Sequence, residues 1–227
     1  MERTDWLEER KKGIGGSDAA AIIGANPFMT NVQLWEIKTG RREQEDISQK
    51  ECVKFGVAAE DHIRQLFALD YPEYEMTSEE YTTYKNKKLP FIMGSFDGRL
   101  KEVGTNRLGV WEAKTGTIRR ATDWEKWGGK NFEEKRIPQN YYTQILHYFL
   151  VEPEFQFAIL RARLTELLFN GENIFYRKRI HIRDFYIERK ECIADLEYLE
   201  SKECEFWFKY VSTDIRPPLL LPNLQGG

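Results

Sequence analysis

The sequence is poor in the residues that staple or cage a small protein, with three cysteines and three histidines among 227 residues. Cys52, Cys192 and Cys204 are odd in number and form no CxxC pair, which argues against a disulfide framework. Cys192 and Cys204 are expected on one helix, whose rise would hold them roughly 18 Å apart, beyond the reach of a bridge. His62, His147 and His181 lie scattered, without the spacing of zinc ligands. Free thiols suit a reducing cytoplasm. No uncharged apolar run reaches the length of a membrane span. The start Met1-Glu2-Arg3-Thr4-Asp5 has no apolar stretch of the signal-peptide kind, so no leader is expected. The chain also lacks the basic excess of many nucleic-acid binders, since its net charge is −3. That balance does not exclude nucleic acid, because acidic sites neutralised by a cation can coexist with local basic clusters. Such clusters stand at Lys85-Lys87-Lys88, Arg119-Arg120, Lys135-Arg136 and Arg177-Lys178-Arg179, and each alone reads as a solvated face.

What is present supports one compact domain: 41% hydrophobic and 14% aromatic residues can fill a core, and 31% charged residues can cover it. Residues 6–12 read as a short charged helix, broken by Gly13-Ile14-Gly15-Gly16. Ser17 and Asp18 are candidate N-caps for a small-residue helix over 19–23, which Gly24 stops. Asn31 is a candidate cap for a helix over 32–39, ended by Gly40. Ser48 and Glu51 have capping-box spacing before a longer helix, with Val53, Val57, Ile63, Leu66 and Phe67 roughly on one face. Strands are expected at 79–84, 91–100 and 108–115, then, after a helix opened by Pro138, at 155–164 and 174–182. Asp184 can cap a final helix carrying Ile187, Ile193, Leu196, Leu199, Phe206 and Tyr210. The proline-broken apolar tail over 217–222 must pack against something. This order predicts an α/β domain with a mixed sheet.

The chemistry concentrates between residues 97 and 114. Asp97 precedes Gly98 in an apolar strand, and Glu112-Ala113-Lys114 ends another. Alternation along a strand sends Glu112 and Lys114 to one face and Trp111 and Ala113 to the other. A hairpin from Asp97 to Glu112 would bring two carboxylates together, which repel unless a proton or a cation lies between them. Hard oxygen ligands suit Mg²⁺ or Mn²⁺, and a lysine beside them can offset charge developing on a phosphate. Taken alone, the Asp…Glu-x-Lys pattern also fits a turn and a surface ion pair.

The wider pattern resembles the YqaJ-type viral recombinase family, which groups with lambda-type phage exonucleases in the PD-(D/E)XK superfamily. The resemblance rests on Trp6-Leu7-Glu8-Glu9-Arg10, Gly13-Ile14-Gly15-Gly16-Ser17-Asp18, Ile22-Ile23-Gly24 and Leu34-Trp35. It continues with Phe55-Gly56-Val57-Ala58-Ala59-Glu60, Ser95-Phe96-Asp97-Gly98, Glu112-Ala113-Lys114, and Pro138 through Tyr141, Gln144 and Tyr148. It runs in order from Trp6 to about Val151 and then fades; Phe96 stands where the superfamily name has proline.

The resemblance implies a restriction-endonuclease-like fold over 1–227: N-terminal helices over 1–45, a catalytic core over 48–164 and a C-terminal strand, helix and tail over 165–227. Glu60, Asp97 and Glu112 would be metal ligands with the Ala113 carbonyl, holding two Mg²⁺ per site, with Mn²⁺ as substitute. Lys114 would contact the attacking water and the scissile phosphate, and Gln144 would orient Lys114 or the water. Tyr141 would lie near the substrate. Arg10 and Ser17 would contact the terminal phosphate of a DNA end, with Ser95 lining the same pocket. Plainer roles stand beside these: a helix cap for Ser17 (compatible with anion binding), a solvated charge for Arg10, packing for Gln144 and Tyr141, and a helix-surface acid for Glu60. The implied activity is 5′→3′ exonuclease digestion of one strand of linear duplex DNA, for phage or prophage recombination in a bacterial host cell. A ring-shaped homotrimer and a single-strand annealing protein partner are implied with it. A structure-specific or restriction-like endonuclease of the same fold, and a non-catalytic DNA-binding module, are the alternatives.

Overall fold

The sheet is organised around β5 (Leu108–Ile118), whose alternating side chains serve two cores at once. Val110 points into a large cluster with Phe149, Leu160 and Ile145, whereas Trp111 points into a smaller one with Ile63, Phe67, Leu100, Phe157 and Ile159. In this computed structural model the described residues are 2–132, 134, 136–170 and 173–221. Lys135 and Pro222, singled out in the sequence, lie outside them.

Helices α1 (Arg3–Arg10), α2 (Gly16–Ile22), α3 (Asn31–Lys38) and α4 (Glu51–Asp70) come first. Strands β1 (Tyr74–Thr77), β2 (Tyr84–Lys85), β3 (Met93–Gly94) and β4 (Gly98–Glu102) precede β5. Then follow α5 (Ala121–Glu125), α6 (Gln139–Val151), β6 (Phe155–Asn170), β7 (Asn173–Glu188) and α7 (Ile193–Glu205), which runs into a π-helical stretch, Phe206–Val211. The main sheet has the order β1-β4-β5-β6-β7, in which only β5 and β6 run parallel. The parallel step is made through α6, as a crossover connection requires. The result is a mixed α/β fold with helices on both faces, as the order of elements predicts.

Local chemistry shifts several boundaries. Asp18, not Ser17, closes the start of α2: its carboxylate accepts from the Gly15 N–H at 3.0 Å, and Gly15 is the cap. Gly16 is required there, since a Cβ would sit 2.7 Å from Tyr148. Thr30 caps α3 with Gln33, which frees Asn31 for the tail: it donates to the Pro218 carbonyl at 2.7 Å and accepts from the Leu220 N–H at 2.9 Å. The tail is therefore tied to the start of α3 and to the Gly24 turn after α2, with Pro217 buried while Leu219, Leu220 and Leu221 stay exposed. The Ser48–Glu51 capping box does not form; Lys50 starts α4 without a side-chain cap. Of the apolar face expected on α4, Ile63 and Phe67 are buried, while Val57 is 71% and Leu66 52% exposed.

Of the strand expected at 79–84 only Tyr84 is in one, at the start of β2; a turn with Tyr81 at φ 53° precedes it, and the edge of the main sheet is β1, anchored by Tyr74 stacked near Phe67. The strand expected at 91–100 breaks between β3 and β4, at residues 95–97. Asp184 caps nothing: it lies in β7, where its carboxylate takes a two-point grip from Arg161 at 2.7 and 2.8 Å. The last helix starts about two turns later than expected, after Cys192, which leaves Ile187 in β7, and all three cysteines are free. Among the described residues no helix is long and apolar enough to cross a membrane.

Candidate active site

Antiparallel pairing of β4 with β5 sets Gly98 opposite Trp111, so the residue before β4 arrives beside the residues after Trp111. Asp97 Oδ2 consequently accepts from the Ala113 N–H at 2.9 Å. On the opposite face from Trp111, Glu112 is buried at 2% exposure and reaches Lys114 Nζ at 2.5 Å through Oε1. The same oxygen accepts from Gln144 Nε2 at 2.8 Å, and that amide also donates to the Tyr148 hydroxyl at 2.6 Å. Gln144 and Tyr148 are one turn apart on α6, so one helix face holds the carboxylate. Lys114 Nζ lies 4.9 Å from the Tyr141 ring centre, a cation–π contact that fixes the ammonium from the other side.

Glu112 Oε2 has no hydrogen-bond partner although it is buried. An unpaired buried carboxylate oxygen is costly. Burial first, and then repulsion from Asp97, push the Glu112 carboxyl up to about 8, against the pull of Lys114. Glu60, on α4, rises to about 7 for the same two reasons, burial and Asp97. Asp97 is raised as well, chiefly by burial. Lys114 is held above its ordinary value because Glu112 and Asp97 outweigh its burial. Three carboxyls that resist ionising together, one with a bare oxygen, fit an acidic set designed around a cation. Glu60 is the least committed member: its Oε1 is 2.5 Å from Arg64 Nη2, and among the described residues no three acidic, histidine or cysteine side chains close into a cage.

The residues expected at a DNA end are brought together. Arg10 Nη2 lies 3.3 Å from Ser17 Oγ, and its guanidinium stacks on Trp6 at 4.6 Å. The Trp6 indole donates to Ser95 Oγ at 2.9 Å, and Ser95 in turn donates to the Thr82 carbonyl at 2.7 Å. Pairing of Ile14 with residues 91–93 carries this N-terminal segment to the strands leading to Asp97. Reasoning from sequence missed Trp6 as the link between Arg10 and Ser95, and Arg64 as a cation in the acidic cluster. The spacing of Arg64, four residues after Glu60 on a helix, was the available signal.

The family model of the YqaJ-like viral recombinase domain matches residues 5–153. The uncharacterized protein YqaJ of Bacillus subtilis (strain 168) is 29% identical over 208 residues, covering 91% of this chain and 56% of that protein. The chain thus spans about half the length of that relative. Among solved structures, the alkaline exonuclease LHK-Exo from Laribacter hongkongensis superposes with a TM-score of 0.61 at 14% identity, over 93% of this chain and 94% of the other. A phage related exonuclease from Haemophilus somnus 129PT superposes with a TM-score of 0.51 at 13% identity, over 89% and 96% of the two chains. The fold is therefore the PD-(D/E)XK-like one of phage exonucleases. With well over half of its residues matched by the family model, the chain belongs to the YqaJ-like viral recombinase domain family.

Proposed function

We propose that this chain is a Mg²⁺-dependent exonuclease that degrades one strand of linear double-stranded DNA from its 5′ end, in phage or prophage recombination by single-strand annealing. The observation that carries the reading is Glu112: buried, gripped on one oxygen by Lys114 and Gln144, and unpartnered on the other. Glu60, Asp97 and Glu112, with the Ala113 carbonyl, would hold Mg²⁺, two per site, with Mn²⁺ as substitute. A divalent ion bound there supplies Lewis acidity at the scissile phosphate. Lys114 orients the attacking water and offsets charge on the phosphate oxygens. Gln144 keeps Glu112 and Lys114 in register, and Tyr141 confines the ammonium at the substrate side. Arg10 and Ser17 take the terminal phosphate, with Ser95 and Trp6 setting the pocket wall. A homotrimeric ring around DNA, an annealing protein as partner and the bacterial host cytoplasm as the place of action complete the reading.

Two measurements test it. With Mg²⁺, linear duplex is expected to disappear while covalently closed circles survive; cleavage of the circles would favour the endonuclease alternative. Arg10→Ala should reduce the preference for 5′-phosphorylated over 5′-hydroxyl ends by about tenfold, the size of one lost charge-assisted hydrogen bond. Unchanged end preference on labelled duplexes would remove Arg10 from the phosphate pocket.

A further inference from the structure

Arg64 sits on α4 one turn after Glu60, with its Nη2 2.5 Å from Glu60 Oε1 and its Nη1 3.3 Å from Asp61 Oδ1. Its side chain is only 22% exposed, and its Nε is buried with no hydrogen-bond partner. A guanidinium carries five donors in a fixed fork, and leaving one empty in the interior is unfavourable. Charge, rather than a completed hydrogen-bond set, therefore holds this side chain in place. Its field extends past Glu60 and also favours the ionised form of Asp97. Lys114 balances the Glu112 end of the acidic cluster. Arg64 balances the Glu60 end.

We propose that Arg64 is a resident counter-ion: its guanidinium occupies the Glu60 arm of the acidic cluster, and a divalent cation must displace it to engage that carboxylate. The inference rests on reading Glu60, Asp97 and Glu112 as a cation site, and adds a device that sets its affinity. Two positive charges compete for one carboxylate, so each weakens the binding of the other, and the coupling is reciprocal. A guanidinium that merely held Glu60 in a ligating pose would act in the opposite sense. Its removal would then loosen the site.

The test compares full-length wild type with Arg64→Gln, Arg64→Ala and Arg64→Lys, using Mn²⁺ alone as the probe. Mn²⁺ binding is followed by calorimetry and by electron paramagnetic resonance, and melting temperatures are taken in chelator and in Mn²⁺. The neutral variants are expected to bind Mn²⁺ about tenfold more tightly. They should melt lower than wild type in chelator and gain more on adding Mn²⁺. Arg64→Lys, which keeps the charge, should retain wild-type affinity. Unchanged or weaker Mn²⁺ binding in Arg64→Gln overturns the proposal, as does equal tightening in Arg64→Lys. If one neutral variant fails to fold, the other is read alone. Should Glu112→Gln bind Mn²⁺ as well as wild type, the cation site itself fails, and the role of Arg64 fails with it.

Discussion

Replacing Lys114 with alanine is expected to slow hydrolysis of linear duplex by about 10²–10³-fold, the range seen when one preorganised charge-stabilising donor is removed from a water-poor site. Lys114 has two roles that a smaller side chain cannot share. Its ammonium lies against Glu112 Oε1, and its position is fixed over the Tyr141 ring. Without it, Glu112 keeps only Gln144 on that oxygen, and burial then favours the protonated, non-ligating carboxyl even more strongly. The fold should survive, because the Lys114 side chain is partly exposed and it touches α6 through a single cation–π contact with Tyr141. Gel assays of product release, run beside melting curves and anisotropy measurements of duplex binding, separate the outcomes. A lost rate with preserved melting and binding places Lys114 in the chemistry. Digestion at the wild-type rate would remove it from the mechanism.

The centre of the site is legible in the sequence because its geometry is local. Glu112 and Lys114 share a strand face by alternation, and the only long-range step needed is a hairpin between two apolar segments, which β4 and β5 supply. Gln144 and Tyr148 follow from helical spacing after Pro138. Beyond this, local signals compete with tertiary partners. Asn31 and Asp184 have the chemistry of caps, yet a carbonyl in the distant tail and the Arg161 guanidinium offer each a better-satisfied position. The apolar periodicity of α4 overstates its burial. The sheet presents only Trp111 and its neighbours to this helix, so Ile63 and Phe67 fill the space and Val57 and Leu66 face outward. Residues 79–84 have strand-forming side chains, but the Phe67, Tyr71 and Tyr74 rings meet over Trp111 and draw the preceding segment onto the sheet edge. Trp6 gains its meaning from Ser95, a partner far along the chain that no window of sequence displays, whereas the pairing of Arg64 with Glu60 is local to α4.

The largest expected loss of stability lies at a buried pair outside the acidic cluster. His147 and Glu203 are both fully buried, with Nδ1 and Oε1 2.7 Å apart, and His147 Nε2 lies 2.9 Å from the Met93 carbonyl. A carbonyl only accepts, so Nε2 carries a proton, and the Glu203 carboxylate draws a second one to Nδ1. Burial alone would lower the His147 value, but Glu203 and the Met93 carbonyl outweigh it and leave it raised. The pair ties α6 to α7 and to β3, beneath the helix that presents Gln144. Glu203→Ala should cost about 3–5 kcal/mol, because it strands a buried charge. A double replacement of His147 and Glu203 by leucine should recover much of that loss, since desolvation of both ions is relieved together. The sign with pH follows from the raised value: the folded state binds the proton more tightly than the unfolded chain. The contribution is therefore complete below about pH 6.5, the ordinary histidine value, and is lost as pH rises through the folded-state value. Urea unfolding of wild type and Glu203→Ala across that range should show the gap between them narrowing toward alkaline pH. A gap below about 1 kcal/mol at pH 6, the size of an exposed ion pair, would show that this contact holds nothing together.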